Sequence, residues 1–196
     1  MAERLSYLFD AFLTHDWGIQ QDNHTRVAFI FRALKALGFV LWFDEVEMTG
    51  DIDSAMRKGI DDSFSMIFFI TKRYIDKVNS ESLKDNCFKE FRNAFTKNKP
   101  FILVVMDENV KPTDLNQGYA GMFVSNTLYI NMSKEYKIDE LVAKMAKLGI
   151  YPRAPPALAL KVYTMYIYIR IVSCGFIYII YIYILLLFMP FTLRTI

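Results

Sequence analysis

Residues 9–17 read FDAFLTHDW. The apolar run from Leu8 to Leu13, broken only by Asp10, gives way at once to Thr14, His15 and Asp16, so a chain-burying stretch ends in groups that carry chemistry. The run lacks strict alternation, which is the pattern of a strand covered on both faces. Four more runs of strand length follow: Phe39 to Phe43, Met66 to Ile70, Phe101 to Met106 and Leu128 to Met132. Helical patterns fall between several of them. From His24 to Leu37 the residues Val27, Ile30, Phe31, Leu34 and Leu37 keep three-four spacing, with Asp22 or Asn23 as N-cap and Gly38 as stop. Asp51 to Ser63 opens with acids that favour a helix dipole and sets Ile52, Met56 and Ile60 on one face. Asp85 to Lys97 and Ile138 to Leu148 are the other amphipathic helices. Asp107 to Asn126, with Pro112, Gly118 and Gly121, reads as an irregular crossover.

Strands and helices in alternation, joined by short connections, predict an α/β fold: a five-stranded parallel doubly wound sheet of the flavodoxin-like kind. Ligands of such sheets bind beyond the carboxyl ends of the strands, where the strand order reverses. Thr14 to Trp17, Asp44 to Asp51 and Thr71 to Tyr74 are therefore expected around the crevice. Thr14, His15 and Asp16 are placed to hold a ribose or phosphate, with turn formation as their competing use. Asp44, at the end of strand two, is a polar candidate. Trp42 lies inside that strand and offers the cleft at most its indole edge.

The chain has 196 residues, and only Lys161, Arg170 and Arg194 are charged from residue 154 onward. Residues 1–150 are expected to form the folded domain, 151–162 a proline-containing linker and 163–196 a hydrophobic tail. Ile171 to Leu193 is long enough to cross a bilayer as a helix, and the basic residues before it would leave the domain in the cytoplasm. The alternating tyrosine and isoleucine of YIYIRI and IYIIYIYIL admits a second reading, a low-complexity tail without selected function. The first 153 residues carry 20 basic and 21 acidic side chains, which argues against nucleic acid as a partner. Two cysteines and two histidines make neither a disulfide framework nor a four-ligand zinc site at recognisable spacing, so no metal is expected. The N-terminus lacks the apolar core of a signal peptide, which predicts a cytoplasmic domain. Neither G-x-G-x-x-G nor G-x-x-x-x-G-K-[ST] occurs, which excludes the common dinucleotide and nucleotide phosphate loops.

Four spaced motifs carry a resemblance. FDAFLTHDW matches an aromatic-Asp-x-Phe-hydrophobic-Ser/Thr-His opening at Phe9, Asp10, Phe12, Thr14 and His15. GFVLWFDEVEMTGDI, residues 38–52, and IDDSFSMIFFITKRYI, residues 60–75, agree with a second strand plus loop and with a helix-to-third-strand stretch. NCFKEF, residues 86–91, is similar to W-C-x-x-E-L, with Asn86 where tryptophan is usual. Together they resemble the Toll/interleukin-1 receptor (TIR) domain over roughly Leu5 to Leu148.

The resemblance implies signalling by homotypic assembly with other TIR domains and, in many members, cleavage of NAD as substrate at its nicotinamide–ribose bond, with no cofactor. It marks Glu90 as catalytic. It also makes the loop carrying Glu45, Glu47, Met48 and Gly50 the assembly element. On the third helix Cys87, Phe88, Phe91, Ala94 and Phe95 form an apolar stripe, so Glu90 is expected at its margin, reaching a cleft without being buried. Nicotinamide leaves as a neutral molecule, so one carboxylate beside an oxocarbenium-like centre suits the chemistry. The function expected is thus a self-associating NAD glycohydrolase, the alternative a non-catalytic TIR scaffold. A small-ligand receiver is permitted by the crevice but has no motif. Pairing of Cys87 with His15 or His24 as a thiol hydrolase is disfavoured, because helical cysteines are mostly packing groups.

Overall fold

The computed structural model describes residues 3–47 and 51–153. Met48, Gly50 and the tail of residues 163–196 lie outside the described residues, as does the linker beyond Arg153. Five parallel strands, β1 (Phe9–His15), β2 (Leu41–Trp42), β3 (Ser63–Ile70), β4 (Phe101–Val105) and β5 (Tyr129–Asn131), form one sheet in the order β2-β1-β3-β4-β5. The order reverses between β1 and β3, whose register pairs Phe12 with Met66 and His15 with Phe69. The switch point of a doubly wound sheet therefore falls at the end of β1.

Among the described residues the sheet is accompanied by seven α-helices: α1 (Asp22–Ala36), the single turn α2 (Asp44–Glu47), α3 (Ile52–Asp61), α4 (Lys72–Asn79), α5 (Asn86–Thr96), α6 (Gly118–Val124) and α7 (Ile138–Lys147). Alternate residues of each central strand enter opposite cores. Leu13, Ile67, Phe69 and Val104 pack with Val27, Ile30 and Leu34 of α1 and Leu141 and Met145 of α7. Phe12, Met66, Phe68 and Leu103 pack with Met56, Tyr74, Phe91 and Val124 from α3 to α6. Burial on both faces is why the strand runs show no alternation.

Local departures from the sequence reading have physical causes. β2 spans two residues rather than Phe39 to Phe43, because the Asp10 carboxylate, and not a strand carbonyl, accepts from the Val40 amide at 2.8 Å. Neither Asp22 nor Asn23 caps α1: the helix begins at Asp22, after Gln21 in the left-handed region, and Asn23 turns its amide onto Asp16. Gly38, at φ 94°, follows the helix end as expected. The segment 107–126 is not wholly irregular, since it holds a 3-10 turn at Asp114–Asn116 and α6, which at seven residues is too short to display a helical repeat. α4 is a helix that no apolar repeat announces, and Thr71 caps it by accepting from the Tyr74 amide at 2.9 Å. Among the described residues no helix is long and apolar enough to cross a membrane.

Trp42 is fixed from two sides. Its indole stacks on Phe12, with ring centres 4.0 Å apart, and a Cβ added at Gly59 of α3 would come within 2.5 Å of the ring. Gly59→Ala is therefore expected to lower stability by about 1–3 kcal/mol, the cost of overpacking a filled core. The midpoint of urea unfolding measures it; an unchanged midpoint would mean that the indole yields freely.

Candidate active site

β1 delivers Thr14, His15 and Asp16 to the switch point, and all three are buried. Beside them α5 places Glu90 one turn after its start, its first amides held by the Asp85 cap, which accepts from the Cys87 amide at 2.8 Å. Thr14 Oγ1 donates to Glu90 Oε2 at 2.6 Å and lies 2.9 Å from the Tyr74 hydroxyl. Tyr74, Thr14 and Glu90 thus form a buried hydroxyl–hydroxyl–carboxyl line from α4 through β1 to α5.

The expectation that Glu90 stays out of the core is corrected. It is 9% exposed, because Cys87, Phe91 and Ala94 draw that face of α5 onto the sheet and the long carboxyl arm follows. Burial raises its carboxyl from 4.5 to about 8, opposed by the Thr14 hydrogen bond. Glu90 nonetheless lines a cleft of about 320 Å³ together with His15, Asp16, Trp42 and Asp44. Arg73, Lys77 and Asn86 also border it. A second groove of about 360 Å³ between α3 and α5 reaches Glu90 from its other side.

The five residues anticipated around the ligand differ in what they have left to offer. Thr14 sits beneath the cleft, bonded to Glu90. Asp16 is committed to the protein: it accepts from Thr71 Oγ1 and from the Gly18 amide at 2.9 Å, and Asn23 Nδ2 donates to its backbone carbonyl at 2.8 Å. That is the turn-forming use, and it joins the end of β1 to the starts of α1 and α4. Trp42, 3% exposed, gives the cleft only an edge. His15 Nε2 lies 2.8 Å from His24 Nδ1, and burial lowers its pKa below 6.5 against the opposing pull of Asp44. Asp44 accepts from Trp17 Nε1 at 2.9 Å.

Strand-end reasoning reached Arg73 and Tyr74 through the stretch Thr71 to Tyr74, but not Lys77, which lines the cleft one turn farther along α4. Arg73 and Lys77 stand four residues apart on α4, and Tyr74 anchors Thr14 from the same helix. The Thr71 cap and the i,i+4 spacing of the two cations were the available signals. Cys87 is no thiolate: burial pushes its thiol well above the ordinary value, and its sulfur lies 3.7 Å from the His15 backbone carbonyl and 3.8 Å from Lys77 Nζ. In the segment expected to serve assembly, α2 carries Glu47 on an exposed turn.

A family model described as TIR domain matches residues 12–146. No curated protein matches the chain. Among solved structures it is similar to the TIR domains of the activated Roq1 resistosome that directly recognizes the pathogen effector XopQ, at 17% identity and a TM-score of 0.53, over 71% of this chain and 98% of that one. It is also similar to the TIR domain of the Toll-related receptor TRR-2 from Hydra magnipapillata, at 12% identity and a TM-score of 0.47, over 71% and 94%. At these identities the first likeness speaks to the fold. The family match, spanning well over half of the chain from Phe12 in β1 to Ala146 in α7, carries the assignment: this chain belongs to the TIR domain family.

Proposed function

We propose that the chain is a signalling TIR domain that self-associates and cleaves NAD to nicotinamide and an ADP-ribose product. The supporting observation is the gathering of the buried Glu90 carboxyl with an indole edge and two cations around a single cleft at the sheet's switch point. In this reading the nicotinamide ribose lies against Glu90, whose anion steadies the positive charge that develops at the anomeric carbon as the neutral base departs. Arg73 and Lys77 take the pyrophosphate. The rest of the dinucleotide extends toward an adjoining cleft of about 570 Å³ that shares Asp16 and Arg73. Asp44 and His15 line the ribose side.

The rival is a scaffold that binds other TIR domains and turns nothing over. The burial of Glu90 favours it, because a carboxyl with a pKa of about 8 is mostly neutral at physiological pH. Incubating the purified chain with NAD and measuring nicotinamide separates the two; no release above a Glu90→Ala control leaves the scaffold. Assembly through the segment 45–50 would complete the pocket between neighbours. The rate is then expected to rise more steeply than the first power of protein concentration, and strict proportionality would remove assembly from the account. The domain works in the cytosol in this reading, with the tail of residues 163–196 as its candidate membrane tether.

A further inference from the structure

The chain contains two histidines, and the fold brings them together. His15 ends β1 and His24 lies in the first turn of α1, yet His15 Nε2 and His24 Nδ1 are 2.8 Å apart. Asp44, the first residue of α2, completes a triangle: its Oδ2 is 3.9 Å from His15 Nε2 and its Oδ1 is 3.8 Å from His24 Nδ1. One donor atom from each of the three lies within 4.8 Å of the others.

We propose that His15, His24 and Asp44 form a binding site for a divalent transition metal of the zinc class. The donor set decides the class: two imidazole nitrogens and one carboxylate oxygen suit zinc and its neighbours, whereas magnesium and calcium select oxygen alone. Three protein donors leave the fourth tetrahedral position for water or an anion. The outer contacts also resemble those that orient metal ligands. Trp17 Nε1 donates to Asp44 Oδ2 and orients that carboxylate. Phe43 stacks on both imidazoles, with ring centres 5.5 Å from His15 and 5.2 Å from His24, and Trp17 lies 4.9 Å from His24. The rings are thus held by aromatic packing as well as by each other. A groove lined by Trp17, Gln21, His24, Arg32 and Asp44 gives an ion a path from solvent.

The separation of the imidazole nitrogens is that of a hydrogen bond, and two nitrogens bound at about 2.0–2.1 Å to one tetrahedral zinc must stand somewhat farther apart. A few tenths of an ångström at His24, which lies nearer the surface than His15, supply the difference. Sequence spacing conceals the site, because its three donors come from a strand end, a helix start and the far side of a crossover.

The test uses the full chain stripped with a chelator and titrated with zinc by calorimetry and with cobalt(II) by visible spectroscopy. Expected are one bound equivalent, tetrahedral cobalt bands without a thiolate charge-transfer band, and an affinity loss of at least about 100-fold in both His24→Gln and Asp44→Asn. Absence of saturable binding overturns the proposal, as does a charge-transfer band pointing to Cys87 or Cys174, or affinity unchanged in both variants. The cobalt spectrum of the unaltered chain decides the matter should a variant fail to fold. Glu90→Gln is expected to leave the spectrum unchanged, so failure of the metal site and failure of NAD cleavage are read separately.

Discussion

Glu90→Gln is expected to lower kcat for NAD cleavage by a factor of about 100–1000 or more and, in the same protein, to raise stability at alkaline pH. The first effect is the loss of an anion aimed at a charge that exists only in the transition state. The second follows from burial. Because the folded carboxyl titrates at about 8 and the unfolded one near 4.5, the folded state holds a proton that the unfolded state has released throughout that window. Stability of the unaltered protein therefore falls as pH rises from 4.5 to about 8 and levels off above, whereas glutamine has nothing to lose. Thermal unfolding of the two proteins across that range should show the variant's advantage growing with pH, and parallel curves would mean that the carboxyl is not desolvated. Activity runs the other way. If the ionised form does the work, kcat/KM of the unaltered enzyme climbs about tenfold per pH unit below 8 and flattens above it. A profile that falls across the same interval would make Glu90 a proton donor, and one without any limb would return the domain to the scaffold reading.

The second large effect belongs to Asp10, at the opposite end of β1. Its carboxylate is fully buried, with Oδ1 3.1 Å from Arg4 Nη1 and 2.8 Å from Arg153 Nε, while Oδ2 accepts from the Val40 amide. Asp10→Ala would strand the Arg4 guanidinium, which is itself buried, and orphan the Val40 amide. Breaking a buried pair from one side costs about 3–5 kcal/mol. Against a typical total of about 5–15 kcal/mol this is a large fraction, so the urea midpoint should drop steeply or the protein should fail to accumulate. The net worth of the cluster is smaller than that loss, because Arg4 Nε is buried without a partner and part of the desolvation cost is never recovered. A midpoint shift equivalent to under about 1 kcal/mol would show that water reaches the arginines once the carboxylate is gone.

Asp10 also marks the limit of what residue patterns convey. In the sequence it is one charge inside an apolar run and matches a motif position, which suggests a site. In the fold it shortens β2 and ties Arg4 to Arg153, a structural use that no spacing announces. The strands themselves were legible, because burial on both faces leaves continuous apolar runs at Met66 to Ile70 and Phe101 to Met106. Long helices were legible through their three-four repeats. α4 and α6 were not, since eight and seven residues give too few turns for a repeat to stand out. At the cleft the strand-end rule located Thr14, His15, Asp16 and Asp44, but not how each is used. Asp16 is spent on Gly18, Asn23 and the distant Thr71, and His15 on a second histidine nine residues away. Glu90 was found through its motif, and its burial was missed because a helical stripe gives a direction and not a depth.

The Asp10 cluster has a consequence for synthesis. Arg4 leaves the ribosome with the first strand, whereas Arg153, which contacts the same carboxylate oxygen, emerges last of all the described residues. The nascent domain must wait for its final arginine, and for the Arg153 amide bond to the Gly38 carbonyl, before the loop between α1 and β2 is latched. Until then every strand can be present while the seam between the two ends of the domain stays open, and this is the interval in which a chaperone or a protease would meet it.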